Sequence, residues 1–381
     1  MFFSKPKSYL GVDLGAGGVK IVELKQEKKR PVLHTYGLTS QSQDIHQLFN
    51  SKGALAPSLS NFNNKNKTAE QSSATPPFDQ AQVERYAQLI KSVCAGAKTI
   101  SKTAVVSLPV SVLFHAVINL PPLKKEDLDK VLKAEVKKLL SRPIEDMILD
   151  YQVIKNEKNV KTQRVLVNAV PKELVLFYTQ VFNLAGLRLE SLEPESVALE
   201  RALIGRDQSV AMIVDVGAER TNFYIIDQSA AVTHNSIEVG GVKINKILID
   251  SLRIKEDLVE QLKYDYFGGL SKRNDTKLNR EKFLNIFYPV IDPIVKEIQY
   301  GFELYLKQVG NEEKHPEKVI LTGGASFMPY LADYISETFK LKCYVGDPWG
   351  RVVYQEGLKP VLNQIGPRMS VALGLALRNL V

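Results

Sequence analysis

Two stretches of the chain place an aspartate and a glycine in the same order, and these residue types are suited to binding phosphate through a metal ion. Val12-Asp13-Leu14-Gly15-Ala16 recurs in the second half of the chain as Val214-Asp215-Val216-Gly217-Ala218. Each stretch follows an apolar run and precedes residues that are typical of strands. Two such strand–turn–strand units indicate a duplicated architecture.

The chemistry expected of these turns is the binding of a polyphosphate together with Mg²⁺. Glycines such as Gly15, Gly17 and Gly217 let a tight turn aim its backbone N–H groups at an anion. A carboxylate repels phosphate, so Asp13 and Asp215 are predicted to hold Mg²⁺, usually through water, and the ion then neutralises the phosphates. Two facing hairpins would clamp one polyphosphate between two domains.

Other phosphate-binding motifs fit the sequence poorly. The chain has no G-x-x-x-x-G-K-[ST] sequence, which excludes a P-loop. Gly15-Ala16-Gly17 begins like a dinucleotide-binding fingerprint, but Lys20 stands where its third glycine belongs, and a strand follows instead of a helix. Two ordinary β-hairpins are the alternative, and the matched pair favours the phosphate clamp. Lys20 is either an outward-facing strand residue or, as its place after the turn favours, a phosphate contact.

Two later segments carry further candidate residues. Glu260 and Lys263 lie one helical turn apart on a predicted helix, Asp257–Tyr266, where a surface ion pair is the alternative to a ligand contact. Residues 318–325 predict a strand that runs into a turn at Gly323 and Gly324, followed by a helix near residue 329.

The elements that must position these residues follow from the pattern of the chain. Short strands flank each glycine turn, and a second run of strands begins near residue 210. Residues 41–79 are rich in Asn, Ser, Gln and Pro, which predicts a flexible insertion. Residues 109–185 predict a small α+β module, and Met369–Leu380 predicts an apolar helix.

Bulk properties narrow the function classes. At 381 residues with 44% hydrophobic content, the chain is long enough for two or three domains. The net charge of +8 does not indicate nucleic-acid binding, because lysines and acids mix on the wet face of an amphipathic helix at residues 124–139. Two distant cysteines exclude a disulfide framework, and we expect no signal peptide or membrane span. The histidines lack metal-ligand spacing, and His115, in an apolar strand, is predicted to be a hydrogen-bonded core residue.

Together these motifs resemble the superfamily of actin, sugar kinases and chaperone ATPases. The resemblance implies an actin-like, duplicated ribonuclease H-like fold with two α/β domains around a cleft for ATP and Mg²⁺. The first domain would comprise residues 1–207 and 366–381, with the module at 109–185, and the second 208–365. Glu219 departs from the family pattern, which often has glycine there, and a carboxylate beside phosphates would weaken binding.

The resemblance also assigns roles to individual residues. Glu193, at the start of the helix that connects the domains, would orient the attacking water, and Asp13 and Asp215 would hold Mg²⁺. Glu260 and Lys263 would contact ribose and adenine. The remaining nucleotide contacts would be Gly15, Ala16, Gly17, Lys20, Gly217, Ala218, Glu219, Thr221, Gly240, Gly241, Gly323, Gly324 and Ala325. We expect tight ATP binding and at most weak ATPase activity.

Within the superfamily the chain resembles the FtsA and PilM group, because of the module and of phrases such as Leu149-Asp150-Tyr151-Gln152-Val153 and Val165–Glu173. FtsA-like proteins normally continue into a membrane anchor, so an end at Val381 favours the PilM-like pilus proteins. That family implies a cytoplasmic, membrane-peripheral scaffold of type IV pilus or type II secretion-like machinery. Its implied partner is the cytoplasmic N-terminus of a PilN-like inner-membrane protein, bound between the first domain and the module, besides other platform proteins, motor ATPases and further copies of the chain.

Three alternatives remain open at this point. An FtsA-like cytoskeletal protein would form ATP-dependent filaments. A small-molecule kinase would consume ATP only with its acceptor present. A nucleotide-free scaffold would result if Glu219 blocks the site.

Overall fold

The computed structural model describes residues 7–39, 78–154, 162–261, 263, 267, 277–308, 311 and 314–380. The predicted insertion at 41–79 lies outside these residues apart from its last two. Asp79 accepts a hydrogen bond from the Ala81 N–H (3.0 Å) and so caps the first helix, α1 (Gln80–Gly96).

The first sheet has five strands in the order β3-β2-β1-β4-β8. The three N-terminal strands are antiparallel neighbours, whereas β1, β4 and β8 run parallel. Its strands are β1 (Ser8–Gly15), β2 (Gly18–Glu27), β3 (Arg30–Leu38), β4 (Thr103–Leu108) and β8 (Arg188–Pro194).

The second sheet repeats this arrangement in the order β11-β10-β9-β12-β13, with the same antiparallel and parallel pairs. The duplication predicted from the two glycine turns is therefore confirmed. Its strands are β9 (Ala211–Val216), β10 (Thr221–Asp227), β11 (Ala230–Ile237), β12 (Lys318–Thr322) and β13 (Lys342–Val345).

The predicted α+β module contains a third, antiparallel sheet in the order β5-β7-β6, formed by Phe114–Leu120, Gln163–Pro171 and Met147–Ile154. One face is covered by the lysine-rich helix α2 (Lys125–Leu139), which buries Leu128, Leu132 and Val136 as its periodicity predicts. The module continues into α3 (Lys172–Ala185), which packs on α1 in the core of the first domain. The domain limits proposed from the sequence stay a prediction.

The remaining helices connect the two large sheets and cover them. None of the helices in the described part of the chain is long and apolar enough to span a bilayer. The helices that connect and cover the two large sheets are α4 (Glu195–Leu199), which continues as a π-helical turn, α5 (Gly241–Leu252), α6 (Lys277–Leu306), α7 (Leu331–Phe339) and α8 (Lys359–Ala376).

The last helix differs from its prediction at both ends, since α8 begins at Lys359 rather than Met369 and ends at Ala376. Proline normally interrupts a helix, but Pro367 lies inside this one. Its carbonyl accepts hydrogen bonds from the Gly323 N–H (3.0 Å) and the Thr322 hydroxyl (3.1 Å), so tertiary contacts hold the helix where local preference predicts a break.

Candidate functional site

The first glycine turn joins β1 to β2, and cross-strand pairing places Asp13 opposite Lys20. The Lys20 Nζ lies 3.1 Å from Asp13 Oδ2, and both side chains are largely buried. The Ser107 hydroxyl, at the end of the parallel neighbour β4, donates to Asp13 Oδ1 (2.9 Å). Within this turn the residue with a positive φ is Gly18 (φ 109°), a glycine that was not among the predicted site residues.

The second glycine turn is held by the N-terminus of α5. The Gly217 N–H donates to the Arg220 carbonyl (2.9 Å), and the loop carbonyls of Gly217 and Ala218 accept from the N–H groups of Gly241 (2.9 Å) and Val242 (2.8 Å). A Cβ at Gly240 would lie 2.7 Å from the Ala218 carbonyl oxygen. Gly240 and Gly241 are thus placed as supports of the loop.

Thr221 also supports this loop. Its buried hydroxyl donates to the Val239 carbonyl (2.6 Å). Glu219, whose effect on the site was in doubt, is partly exposed. The nucleotide contacts predicted for both residues stay predictions.

The two turns face each other across the cleft. A Cβ built on Gly17 would lie 3.1 Å from the Ala218 Cβ, so the tips of the hairpins approach to van der Waals distance. Gly15 leaves room for the Lys20 ammonium, which a Cβ would meet at 2.8 Å. The fold therefore brings together the two motifs that recur far apart in the sequence.

Three carboxyl groups influence one another in this cleft. Burial, followed by the charge of Asp13, raises the pKa of Asp215 to about 7, although Lys20 counteracts this shift. Burial together with Asp13 and Asp215 raises the pKa of Glu195 well above its usual range, while the Tyr224 hydroxyl donates to Glu195 (3.4 Å). Burial and mutual repulsion thus disfavour the ionised forms of Asp215 and Glu195, and a bound cation would favour them.

Glu193, the predicted water-orienting residue, faces two arginines. Arg201 Nη1 lies 3.0 Å from its Oε2, and Arg378 Nε lies 2.6 Å from its Oε1. The carboxyl group that couples to Asp13 and Asp215 belongs to Glu195, two residues further on. The role predicted for Glu193 stays untested.

The Gly–Gly turn after β12 lies against the second hairpin. Gly323 has a left-handed backbone (φ 88°), and a Cβ there would fall 2.3 Å from Asp215 Oδ1. Above Gly324 lies the side chain of Arg368 from α8, whose Cγ would be 3.4 Å from an added Cβ. The Ala325 N–H donates to the Val216 carbonyl (3.0 Å), which ties this turn to β9.

Glu260 and Lys263 form an ion pair (2.7 Å), as the surface alternative predicts, and both also bond to Asn245 of α5, at 2.7 and 3.0 Å. Although burial acts to raise the pKa of Glu260, these hydrogen bonds lower it, with help from the charge of Arg368. The Glu260–Lys263 pair is thereby linked through charge to Arg368, whose side chain lies over Gly324.

Four residues of this cleft were missed by motif reasoning: Ser107, Glu195, Asn245 and Arg368. Ser107 is the penultimate residue of β4, and Glu195 lies two residues after Glu193 at the start of the connecting helix. No sequence signal marks Asn245 or Arg368, because packing of α5 and α8 alone brings them to the cleft.

A separate groove of about 320 Å³ lies between the module and the first domain. The β8 edge contributes the consecutive residues Leu189–Leu192, so its backbone borders the groove. The module contributes alternate residues, Ile148 and Asp150 from β6 and Asn168 and Val170 from β7, and therefore presents a sheet face.

Metal binding by a preformed cluster is not indicated. Across the residues that the structure describes, no three His, Cys, Asp or Glu side chains are grouped to hold a metal ion. Asp13 and Asp215 suit an ion that keeps most of its water ligands, as Mg²⁺ does.

Comparison with known proteins supports the architecture. Residues 77–380 match the family model described as type IV pilus assembly protein PilM. A solved PilM–PilN type IV pilus biogenesis complex contains a chain with TM-score 0.74 and 21% identity, covering 99% of this chain and 100% of that one. The ethanolamine utilization protein EutJ from Carboxydothermus hydrogenoformans gives TM-score 0.52 at 15% identity, over 98% and 91% of the two chains. These likenesses confirm the predicted actin-like fold.

Curated relatives include two cell division proteins named FtsA. The protein from Pseudomonas aeruginosa PAO1 is 23% identical over 212 residues, which cover 51% of this chain and 48% of that protein. The protein from Neisseria meningitidis serogroup B is 25% identical over 281 residues, 68% of this chain and 62% of that protein. The chain therefore spans less than two thirds of the length of either relative.

Proposed function

The chain belongs to the family of the type IV pilus assembly protein PilM, and from this membership we propose that it is an ATP-binding scaffold of the pilus assembly platform. In this proposal it works at the cytoplasmic face of the inner membrane and holds the cytoplasmic N-terminal segment of a PilN-like protein. The partner is suggested by the PilM–PilN complex, whose fold this chain shares.

The observation that carries the nucleotide part is the facing pair of hairpins, with Gly17 against Ala218 and a carboxylate behind each tip. Asp13 and Asp215 would hold Mg²⁺, which when bound neutralises the phosphates. Lys20 is positioned to turn from Asp13 towards a phosphate oxygen, because its ammonium already lies beside the glycine turn.

The adenosine part of the nucleotide would lie between Gly324 and the network of Glu260, Lys263 and Asn245. The absence of a side chain at Gly324 leaves a surface next to the Arg368 arm where a planar base fits. Glu260 is held ionised by its neighbours and can accept hydrogen bonds from ribose hydroxyls.

Turnover in this site is proposed to be slow or absent. Both oxygens of Glu193 are paired with arginines, and Glu195 is buried with a raised pKa. Neither carboxylate is therefore set up as a free acceptor for a proton from water. We expect ATP to act by shifting the two domains between arrangements that differ in partner affinity.

The groove between the module and the first domain is the proposed peptide site. An extended segment would pair its backbone with the free edge of β8 and pack its side chains on the module face. Asp150 and Glu190 line opposite sides of the groove. Their charges favour a segment that combines apolar side chains with basic ones.

The test of the nucleotide site is isothermal titration of Mg·ATP into the protein and its Asp13→Ala variant. We expect tight binding that the variant loses, while Asp207→Ala, which removes a surface partner of Lys318, binds as the wild type does. Failure of the wild type to bind Mg·ATP would leave the fold intact and assign the chain to the nucleotide-free scaffolds.

The test of the partner is titration of the synthetic N-terminal peptide of the PilN-like protein in the presence of ATP or ADP. Peptide binding that is lost in an Asp150→Lys, Glu190→Lys variant supports the groove. Equal affinities with ATP and ADP would refute the nucleotide switch and leave the scaffold role standing.

An FtsA-like cytoskeletal role is the second candidate, since the curated relatives are FtsA proteins. It predicts filaments that sediment with ATP and disperse without it. The same protein remaining in the supernatant under both conditions favours the pilus scaffold.

A further inference from the structure

One face of the module sheet reaches both domains and the groove. At one end Val170 packs in the core of the first domain, and at the other Leu166 and Ile154 pack in the core of the second. The residues between these ends, Asn168 and Asp150, line the groove. The peptide site therefore lies on a sheet that is anchored at each side to a different domain.

Asn168 is bonded to the second domain through one histidine. Strand pairing places Asn168 beside His115 of β5, and His115 Nδ1 lies 2.8 Å from Asn168 Oδ1. The other ring nitrogen, Nε2, lies 2.7 Å from the Ala231 carbonyl oxygen on β11. The His234 ring packs edge-on against His115, with centroids 4.9 Å apart.

These two contacts restrict how the Asn168 amide can be oriented. Burial lowers the pKa of His115, so its imidazole is neutral and carries a single N–H. The Ala231 carbonyl can only accept, so Nε2 must be the donor and Nδ1 an acceptor. Two acceptors repel, so an acceptor at Nδ1 requires the Asn168 amide to be turned over about its Cβ–Cγ bond, which brings its NH₂ to the place of Oδ1 beside His115.

Turning the NH₂ towards His115 leaves the amide oxygen of Asn168 on the groove side. Asp150, the cross-strand neighbour of Asn168 in β6, accepts a hydrogen bond at its Oδ1 from the Tyr151 N–H (3.0 Å). The oxygen is thus available to a molecule in the groove.

We propose that Asn168 is a recognition residue of the groove, which accepts a hydrogen bond from an N–H of the bound segment, and that His115 is its positioning residue, fixed in turn by the second domain at Ala231. This inference rests on the proposed peptide partner for its ligand. It adds a specific route by which movement of the second domain reaches the groove, through Ala231, His115 and Asn168.

The orientation claim is tested without any ligand. In protein labelled with ¹⁵N-histidine, the His115 signals, identified by their loss in His115→Phe, report which ring nitrogen carries the proton. We expect the tautomer protonated at Nε2. A ring protonated only at Nδ1 would place the amide oxygen against His115 and overturn the proposal.

The recognition claim is tested by titrating the synthetic PilN-like peptide into five variants, one of them a control. Asn168→Leu is expected to bind about tenfold more weakly, the size of one lost hydrogen bond. His115→Phe keeps an aromatic ring but loses the hydrogen bonds to Asn168 and Ala231. Although residue 115 does not line the groove, we expect this variant to bind the peptide about fivefold more weakly. Asn168→Asp keeps an acceptor towards the groove but places a carboxylate oxygen against the acceptor Nδ1 of His115, so it loses the positioning contact and should bind about fivefold more weakly, as His115→Phe does.

The double variant separates positioning from a general structural effect. If His115 acts only through Asn168, the pair His115→Phe, Asn168→Leu loses no more affinity than Asn168→Leu alone, whereas independent effects multiply. Asn119→Leu, an exposed amide of the same sheet outside the groove, is the matched control and should bind normally.

The outcomes distinguish the two proposals. No peptide binding by the wild type, together with the Nε2–H tautomer, would reject the partner and leave the orientation supported. Two results with normal wild-type binding would reject the inference and leave the partner supported. In the first, the affinity losses of His115→Phe and Asn168→Leu multiply in the double variant; in the second, Asn168→Leu binds the peptide as tightly as the wild type.

Discussion

At the scale of single residues, the two matched aspartates differ in how their charge is compensated. Asp13 is paired with Lys20 and accepts a hydrogen bond from Ser107. The pKa of Asp215, by contrast, is raised by burial and then by the charge of Asp13. A magnesium ion would relieve the second carboxylate more than the first. The copies are therefore alike in sequence and unequal in electrostatics.

Gly323 is required by its backbone and by its neighbour. We expect Gly323→Ala to reduce the free energy of unfolding by about 2 kcal/mol, because it combines a positive φ with a Cβ that would fall on Asp215. Urea unfolding measures the loss, and titration of Mg·ATP shows whether the site is distorted as well. Gly357→Ala, where a Cβ meets open space, is the matched control and should change stability by less than about 0.5 kcal/mol.

The histidine pair predicts an acid-sensitive fold. Burial lowers the pKa of His234 to about 3, with His115 adding to the shift. The unfolded chain takes up a proton near pH 6.5 that the folded chain refuses, so stability falls as the pH drops from about 6.5 towards 3. Urea unfolding at pH 7.5, 6 and 5 should show the loss, with a shallower slope for His234→Phe. An unchanged slope in that variant, matching that of the exposed His315→Gln, would contradict this origin.

At the scale of elements, α8 joins parts of the molecule that are far apart in sequence. Gly11 of β1 approaches the Ala372 backbone, Gly374 approaches the Ala198 backbone of α4, and the Pro367 carbonyl binds the Gly323 turn. The helix thus contacts the first hairpin strand, the connecting helix and the turn at Gly323 and Gly324. Its position is set by close backbone contacts that only small residues allow.

Gly374→Ala is expected to destabilise the protein by about 2–3 kcal/mol. The added Cβ would lie 1.9 Å from the Ala198 carbonyl oxygen, so α4 and α8 must separate. Thermal unfolding provides the measurement. Gly96→Ala, at the open end of α1, should be neutral or slightly stabilising, and equal effects of the two substitutions would disprove the close contact.

At the scale of the whole molecule, the module is fastened to the second domain by a buried ionic cluster as well as by His115. Arg164 of β7 reaches Asp227 of β10 (3.6 Å), which also accepts from the Tyr305 hydroxyl (3.1 Å) and pairs with Lys314 (3.5 Å). Relative motion of the two domains must therefore move the module or break this cluster.

We expect Arg164→Met to cost about 2 kcal/mol, less than the loss of an only partner, because Lys314 and Tyr305 still compensate Asp227. Hydrogen exchange should accelerate in β5 and β7 while β9 and β12 stay protected. Arg142→Met, which removes a partly exposed pair with Glu173 (2.8 Å), should cost less than about 1 kcal/mol. Faster exchange throughout the second domain would mean that the cluster stabilises that domain and not the attachment of the module.

The repeated Asp–Gly turns, the duplication, the module and its amphipathic helix could be predicted from the sequence, because each depends on local pattern: strand alternation, helical period and glycine turns. His115 was predicted as a hydrogen-bonded residue, and its two contacts confirm this. Glu193 was singled out from the motif resemblance alone, and such a resemblance carries no information on which carboxyl groups pair with arginines; the structure pairs Glu193 with Arg201 and Arg378.

The sequence by itself determined that two similar halves each present an Asp–Gly turn, and from these turns it predicted which residues would bind phosphate. Only the tertiary structure decided that Arg368 lies over Gly324, that Gly17 meets Ala218 and that Asn168 joins the groove to the second domain. The physical reason is that such contacts depend on how helices and sheets pack over long sequence separations. Packing is fixed by the shape and volume of many side chains together, and no local pattern encodes it.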